Sequence, residues 1–215
     1  MRTIYLISLM CTISCVTTKR RDVASYKKIS NEQKATIMIV NKSGTNGSGF
    51  LLKYKNKQYI ITNYHVCASN YKDLVYPTKV TNYTNTGYAN VLKVDIFNDL
   101  CMLSVPMDFK MIKGFKLART MNTHVTVSTY DRPSLLYTKL SGRIESEDTF
   151  RDDYKRFHRN SWILDIPIKE GMSGSPVLNK HKEVVGVVWG STKTNERNTG
   201  GLMIGRPALE AFLNN

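Results

Sequence analysis

The sequence predicts an all-β protein, with two antiparallel β-barrels in series and a short C-terminal helix. Three observations carry this. Short apolar or alternating runs follow one another from residue 35 onward at the spacing of an all-β chain. They fall into two groups of five or six, parted by the loop-like "MIKGFKLART" at 111–120. No strand-then-helix alternation of the kind that builds parallel sheets interrupts them.

The first group is "ATIMIV" (35–40), "GSGFLLKY" (47–54), "KQYIITN" (57–63), "YANVLKVDI" (88–96) and "DLCMLSV" (99–105). The second is "HVTVSTY" (124–130), "LLYTKLSGRI" (135–144), "SWILDI" (161–166), "SPVLN" (175–179), "EVVGVVWG" (183–190) and "GGLMIG" (200–205). The closing "RPALEAFLNN" reads as a helix, because Pro207 suits a first turn and Leu209, Phe212 and Leu213 recur at helical spacing. The expected organisation is a first barrel over 34–115 and a second barrel with the terminal helix over 116–215.

At 215 residues the chain is long enough for one large domain or two small ones sharing a core. Hydrophobic residues at 41% against 22% charged exclude a disordered chain and a multi-span membrane protein. The net charge of +14 is spread along the chain with no compact Arg/aromatic pattern, so a solvated basic surface is expected and a nucleic-acid partner is not. Cysteine and histidine spacing gives no zinc signature, and no metal or organic cofactor is implied.

The apolar "IYLISLMCTIS" after Arg2 is short for a membrane span and fits the hydrophobic region of a signal peptide over 1–14. "TISC" loosely resembles a lipoprotein signal whose Cys15 becomes acylated, although Thr12 stands where Leu is usual. The cluster "KRR" at 19–21 places more positive charge after the apolar stretch than before it, against the usual export pattern. Export is the expectation, to the periplasm, the medium or a membrane anchored through Cys15, with residues 15–33 as a polar, basic tether.

Three polar residues sit at strand edges in a fixed order. His65 follows "YIIT" in "ITNYHVCAS", Asp99 opens "DLCMLSV", and Ser173 lies in "EGMSGSPVLN", 34 and 74 residues apart. Each has a bland reading by itself: a loop histidine, a turn aspartate, a Gly-Ser-Pro turn. Together, "TNYHV", "DLCMLSV", "GMSGSPVLN" and "VVGVVWG" resemble the chymotrypsin-like serine proteases, specifically the bacterial HtrA/Deg proteases and glutamyl endopeptidases, over about residues 35–213. The resemblance implies two six-stranded antiparallel barrels with an active site in the cleft between them. An α/β-hydrolase elbow does not fit, since position 175 is Ser and the order of the three residues differs.

Under that resemblance Ser173 is the nucleophile, His65 the general base and Asp99 the group that orients the imidazole. Asp95 is the rival acid. The N–H groups of Gly171 and Ser173 form the oxyanion hole, and glycine at 171 permits a conformation a side chain resists. The substrate-binding set is Ile168, Val188, Trp189, Gly190, Gly200 and Gly201. Glutamyl endopeptidases carry His where this chain has Val188 and Thr where it has Ile168, and Pro167 stands about where a trypsin-like Asp would. An uncharged, apolar side chain before the scissile bond is therefore expected, with room beside Gly200 and Gly201. The implied function is a serine endopeptidase acting on proteins or peptides; the alternative is a catalytically weak peptide-binding module. No PDZ-like domain is expected after the second barrel. His124, His158 and His181 read as strand, loop and turn residues. Cys67 and Cys101 each lie two residues beyond a candidate catalytic residue; a disulfide is conceivable, and two buried thiols are the preferred reading.

Overall fold

The computed structural model describes residues 29–68, 71–130, 136–151, 157–194 and 197–215. The expected signal segment, Cys15 and most of the tether lie outside these residues. A five-residue helix, α1 (Asn31–Ala35), starts the described chain, its N-terminus capped by Ser30 Oγ accepting from the Gln33 N–H at 3.1 Å.

The first sheet contains β1 (Thr36–Val40), β2 (Asn46–Tyr54), β3 (Lys57–Thr62), β4 (Thr78–Thr81), β5 (Thr86–Ala89), β6 (Val91–Asp95), β7 (Leu100–Leu103) and β8 (Phe115–Lys116). Its order is β5-β4-β1-β2-β3-β7-β6, with β8 lying parallel to β2. The β2–β3 hairpin turns through Lys55 and Asn56, both at positive φ (43° and 62°), as a two-residue turn matched to strand twist requires. This sheet therefore holds eight strands where six were expected, and curves as a half-barrel. A one-turn helix, α2 (Tyr64–Cys67), leaves the end of β3.

The second sheet is a closed barrel of six strands. They are β9 (His124–Tyr130), β10 (Tyr137–Arg151), β11 (Phe157–Leu164), β12 (Pro176–Leu178), β13 (Val184–Thr194) and β14 (Arg197–Gly205), in the order β10-β11-β14-β13-β12-β9. Val125, Val127, Leu164, Ile166, Val177, Val185, Val188 and Met203 fill it.

The last helix, α3 (Arg206–Asn214), has Pro207 in its first turn and no side-chain cap. Its Leu209 and Phe212 belong to the core cluster that joins the first sheet with Leu178, Val184, Val187 and Ile204 of the second barrel. Lys93 Nζ donates to the Phe212 carbonyl, and Tyr54 Oη donates to Asn214 Oδ1 at 2.7 Å. Between the barrels lies a buried hydroxyl cluster: Thr36 Oγ1 with Ser128 Oγ at 3.0 Å, Ser48 Oγ with Thr129 Oγ1 at 3.2 Å, and Ser175 Oγ donating to Thr129 Oγ1 at 2.7 Å. Hydroxyls that satisfy one another lose little on burial and fix how the barrels meet. Glu32 of α1, 7% exposed, adds an ionic tie to Lys139 and Lys182 of the second barrel.

Candidate active site

The imidazole of His65 is placed by Asp99. Asp99 is 1% exposed and sits just before β7 at φ 51°, a left-handed conformation that aspartate tolerates better than most residues. Its backbone carbonyl accepts from Tyr64 N at 3.1 Å and Asn63 Nδ2 at 2.9 Å. Its carboxylate accepts from the His65 N–H at 3.0 Å (Oδ1) and pairs with His65 Nδ1 at 2.6 Å (Oδ2). A carboxylate accepts only, so the Nδ1 proton is donated to Asp99 and Nε2 carries the free lone pair. The His65 side chain is 37% exposed and the Asp99 side chain 2%, so the imidazole reaches solvent while its partner does not.

Asp95, the rival acid, is occupied elsewhere. Its carboxylate accepts from Asn98 N at 3.0 Å and Asn98 Nδ2 at 2.7 Å, closing the turn between β6 and β7.

Ser173 lies in the segment between β11 and β12. Met172 N donates to the Lys169 carbonyl at 3.1 Å, and Gly171 has φ 88°. A positive φ at the third residue alone is the signature of a type II turn, in which the Glu170–Gly171 peptide is turned over relative to type I. Ser48 Oγ donates to the Gly171 carbonyl at 3.0 Å and holds the next peptide, Gly171–Met172, in place. Among the described residues, neither the Gly171 nor the Ser173 N–H has a hydrogen-bond acceptor. Gly174 follows at φ 86°, donating to the Val188 carbonyl at 2.7 Å.

Ser173 and the His65 helix converge on one spot. The Ser173 carbonyl accepts from Ser48 N at 2.7 Å. A Cβ placed on Gly47 would meet Val66 Cγ2 at 2.5 Å and the Ser173 carbonyl at 3.1 Å, so the residue after His65 and the backbone of Ser173 close over the same glycine. The Ser173 hydroxyl itself donates to the Trp189 carbonyl at 3.5 Å, the long end of hydrogen bonding.

Ile168 (2% exposed) and Val188 (0%) are enclosed in the second core, and Trp189 is half-buried. A Cβ on Gly190 would meet nothing within 4 Å, so that backbone faces open space. The expected room at Gly200 and Gly201 is taken. A Cβ on Gly201 would meet Ile168 Cγ1 at 2.3 Å, and one on Gly200 would meet the Leu164 carbonyl at 2.8 Å. Of the remaining histidines, His124 begins β9, His181 lies in the turn closed by Asn179, and His158 lies in β11 opposite Phe150.

Cys67 and Cys101 are joined as a disulfide, which corrects the preference for two thiols. The reason is geometric. Cys101 pairs with Thr62 in the antiparallel ladder, and the single turn of α2 brings Cys67 back over β7. Ser48, Thr62 and Asn63, all 0% exposed, were not singled out from the sequence. The available signal was a polar residue inside or capping an apolar strand run.

The family model for the trypsin-like peptidase domain matches residues 47–187. Among solved structures, the active form of the Rv3671c protease from M. tuberculosis is 19% identical, with a TM-score of 0.70 over 85% of this chain and 81% of that one. The serine endoprotease from Yersinia pestis is 21% identical, TM-score 0.66, over 86% of this chain and 65% of that chain. The HtrA-type protease AlgW, solved with a tripeptide, is 19% identical, TM-score 0.68, over 87% and 63%. No curated protein matches the sequence.

Proposed function

Because the chain belongs to the trypsin-like peptidase family, we propose that it is a serine endopeptidase whose catalytic residues are Ser173, His65 and Asp99. The observation that carries this is the His65–Asp99 pair at 2.6 Å, which leaves Nε2 of an exposed imidazole as a proton acceptor. In the proposed arrangement the Ser173 side chain leaves Trp189 and its hydroxyl donates to that nitrogen. Catalytic hydrogen bonds of free enzymes are commonly long and tighten only when substrate binds.

In the proposed reaction His65 takes the Ser173 proton as Oγ attacks the peptide carbonyl, and Asp99 stabilises the imidazolium. The uncommitted N–H groups of Gly171 and Ser173 receive the oxyanion, each donor being worth about 2.7–4 kcal/mol in related sites. His65 then protonates the leaving amine, and water hydrolyses the acyl-serine by the same relay. The substrate backbone would lie along the open Gly190, with the side chain before the scissile bond over a surface backed by the enclosed Ile168 and Val188. Two aliphatic walls leave a carboxylate or ammonium unpaired, so that side chain is uncharged.

The protein is also proposed to be exported. A buried disulfide beside the active site suits an oxidising compartment, and Cys15 would be the first residue after processing. One observation favours a second reading, a peptide-binding module: the Ser173 hydroxyl donates to Trp189 instead of His65. A fluorophosphonate probe decides between them. Labelling of the protein that is lost in Ser173→Ala supports the protease, and absence of labelling supports the binding module.

A further inference from the structure

We propose that the Cys67–Cys101 disulfide is a positioning device for the His65–Asp99 pair, an inference that rests on the protease reading above. The helix α2 that carries His65 is four residues long, with Cys67 N donating to the Asn63 carbonyl at 3.1 Å and Ala68 N to the Tyr64 carbonyl at 3.0 Å. One turn of helix is far below the length that holds itself together, so its position is set from outside. On its N-terminal side, Asn63 and Tyr64 donate to the Asp99 carbonyl. On its C-terminal side, the covalent hold is Cys67.

Cys101 is a firm place to be held. It is 0% exposed in the middle of β7, paired with Thr62 on one side and Val94 on the other. His65 and Asp99 each lie two residues before a half-cystine, so the disulfide and the Nδ1–Oδ2 hydrogen bond close one small ring between α2 and β7. Asp99 sits in that ring at φ 51°, and a strained backbone persists only where its surroundings over-determine it. The disulfide is one of those constraints, and it acts on both partners of the pair at once.

A disulfide generally raises stability by constraining the unfolded chain, so the test reads position as well. In the native protein, peptide mapping finds Cys67 linked to Cys101; free thiols overturn the proposal. Two variants are compared with it well below their melting temperatures: Cys67→Ala with Cys101→Ala, and Cys67→Ala with Cys101→Val, which refills part of the lost volume if the first fails to fold. The expected result is a kcat lowered between about tenfold and a hundredfold, with KM little changed. The far-downfield proton resonance of the Nδ1–H···Oδ2 hydrogen bond broadens or moves upfield in parallel. The same resonance is followed in the native protein as a dithiol reduces the bond, two electrons and two protons passing to the sulfurs while the dithiol closes to its own disulfide. An unchanged resonance and kcat overturn the proposal however far the melting temperature falls, as does a change confined to KM. A protein that shows the resonance change but never reacts with the fluorophosphonate keeps the brace and loses the protease reading.

Discussion

The Ser48 hydroxyl donates to the Gly171 carbonyl at 3.0 Å, so a strand of the first sheet holds the turn that carries the second barrel's two uncommitted N–H groups. Ser48 is fully buried and also shares its hydroxyl with Thr129. Removing it frees the Gly171–Met172 peptide, and with it the positive-φ conformation of Gly171. Ser48→Ala should cost about 1–3 kcal/mol of stability, as the loss of a buried hydrogen-bonding group does. Its kcat should fall about tenfold or more, because a misdirected oxyanion donor acts on the transition state. Thermal melts and steady-state kinetics on a cleavable peptide check both.

Catalysis should depend on Ser173 and His65 as a unit. Either alanine variant should lower kcat by on the order of 10⁶, and the double variant should be little worse than either single one. Additive losses would contradict a shared proton transfer. Asp99→Ala should lower activity less, and it should also destabilise the protein, since it removes the acceptor of both the His65 backbone N–H and Nδ1.

Gly174 and Gly190 should answer oppositely to alanine. A Cβ on Gly174 would meet the Ser48 carbonyl at 2.0 Å and Thr62 Oγ1 at 2.3 Å, at φ 86°. Overpacking of about 1–3 kcal/mol adds to a left-handed penalty of about 1–2 kcal/mol. A Cβ on Gly190 would meet nothing within 4 Å, so Gly190→Ala should melt with the native protein. Paired melting curves give the comparison.

Cleavage of a peptide library should follow uncharged residues. Ile168 and Val188 offer no partner for a charge, and Ile168 occupies the space beside Gly201. Products ending in Glu, Lys or Arg as the major class would show that the pocket lies elsewhere.

Alkaline pH should loosen the contact between α1 and the second barrel. Burial pushes the Tyr130 and Tyr137 hydroxyls up to about 12 from 10.0. A raised folded value means the folded state disfavours the phenolate. The stabilisation is fully present below pH 10 and is lost as pH rises towards 12. Tyr130 Oη donates to the Gln33 carbonyl at 3.4 Å and Tyr137 Oη bonds Ser128 Oγ at 2.7 Å, so both report on this junction. Tyr130→Phe should blunt the loss, read by denaturant midpoint against pH.

The candidate catalytic residues were legible because chemistry dictates their types and glycine marks where backbone must do the work. Separating Asp99 from Asp95 rested on family pattern, and the structure gives the physical reason: Asp95 closes its own turn. The strand β4 escaped, and β5 was merged with β6 in the run 88–96, because "TKVT" and "TGYA" bury few large side chains and are held by their neighbours. Residues 31–33 of α1 were read as tether and Ala35 as the start of a strand, because this helix is secured by tertiary ion pairs to Glu32, which local pattern does not encode. The strand β10 runs on to Arg151 past the exposed polar residues 145–149, sustained by pairing with β11.

The packing of α3 into the core shared with the first sheet sets an order of events during synthesis. Residues 36–116 leave the ribosome with strands able to pair, yet their core lacks Leu209 and Phe212, which arrive about a hundred positions later. Domains that fold as units do so as they emerge; this one has to wait with part of its apolar surface open. The same delay withholds Ser48 from its partner at Gly171. On the protease reading, hydrolysis would have to await residues 171–212, and a shorter nascent fragment would not cut its neighbours.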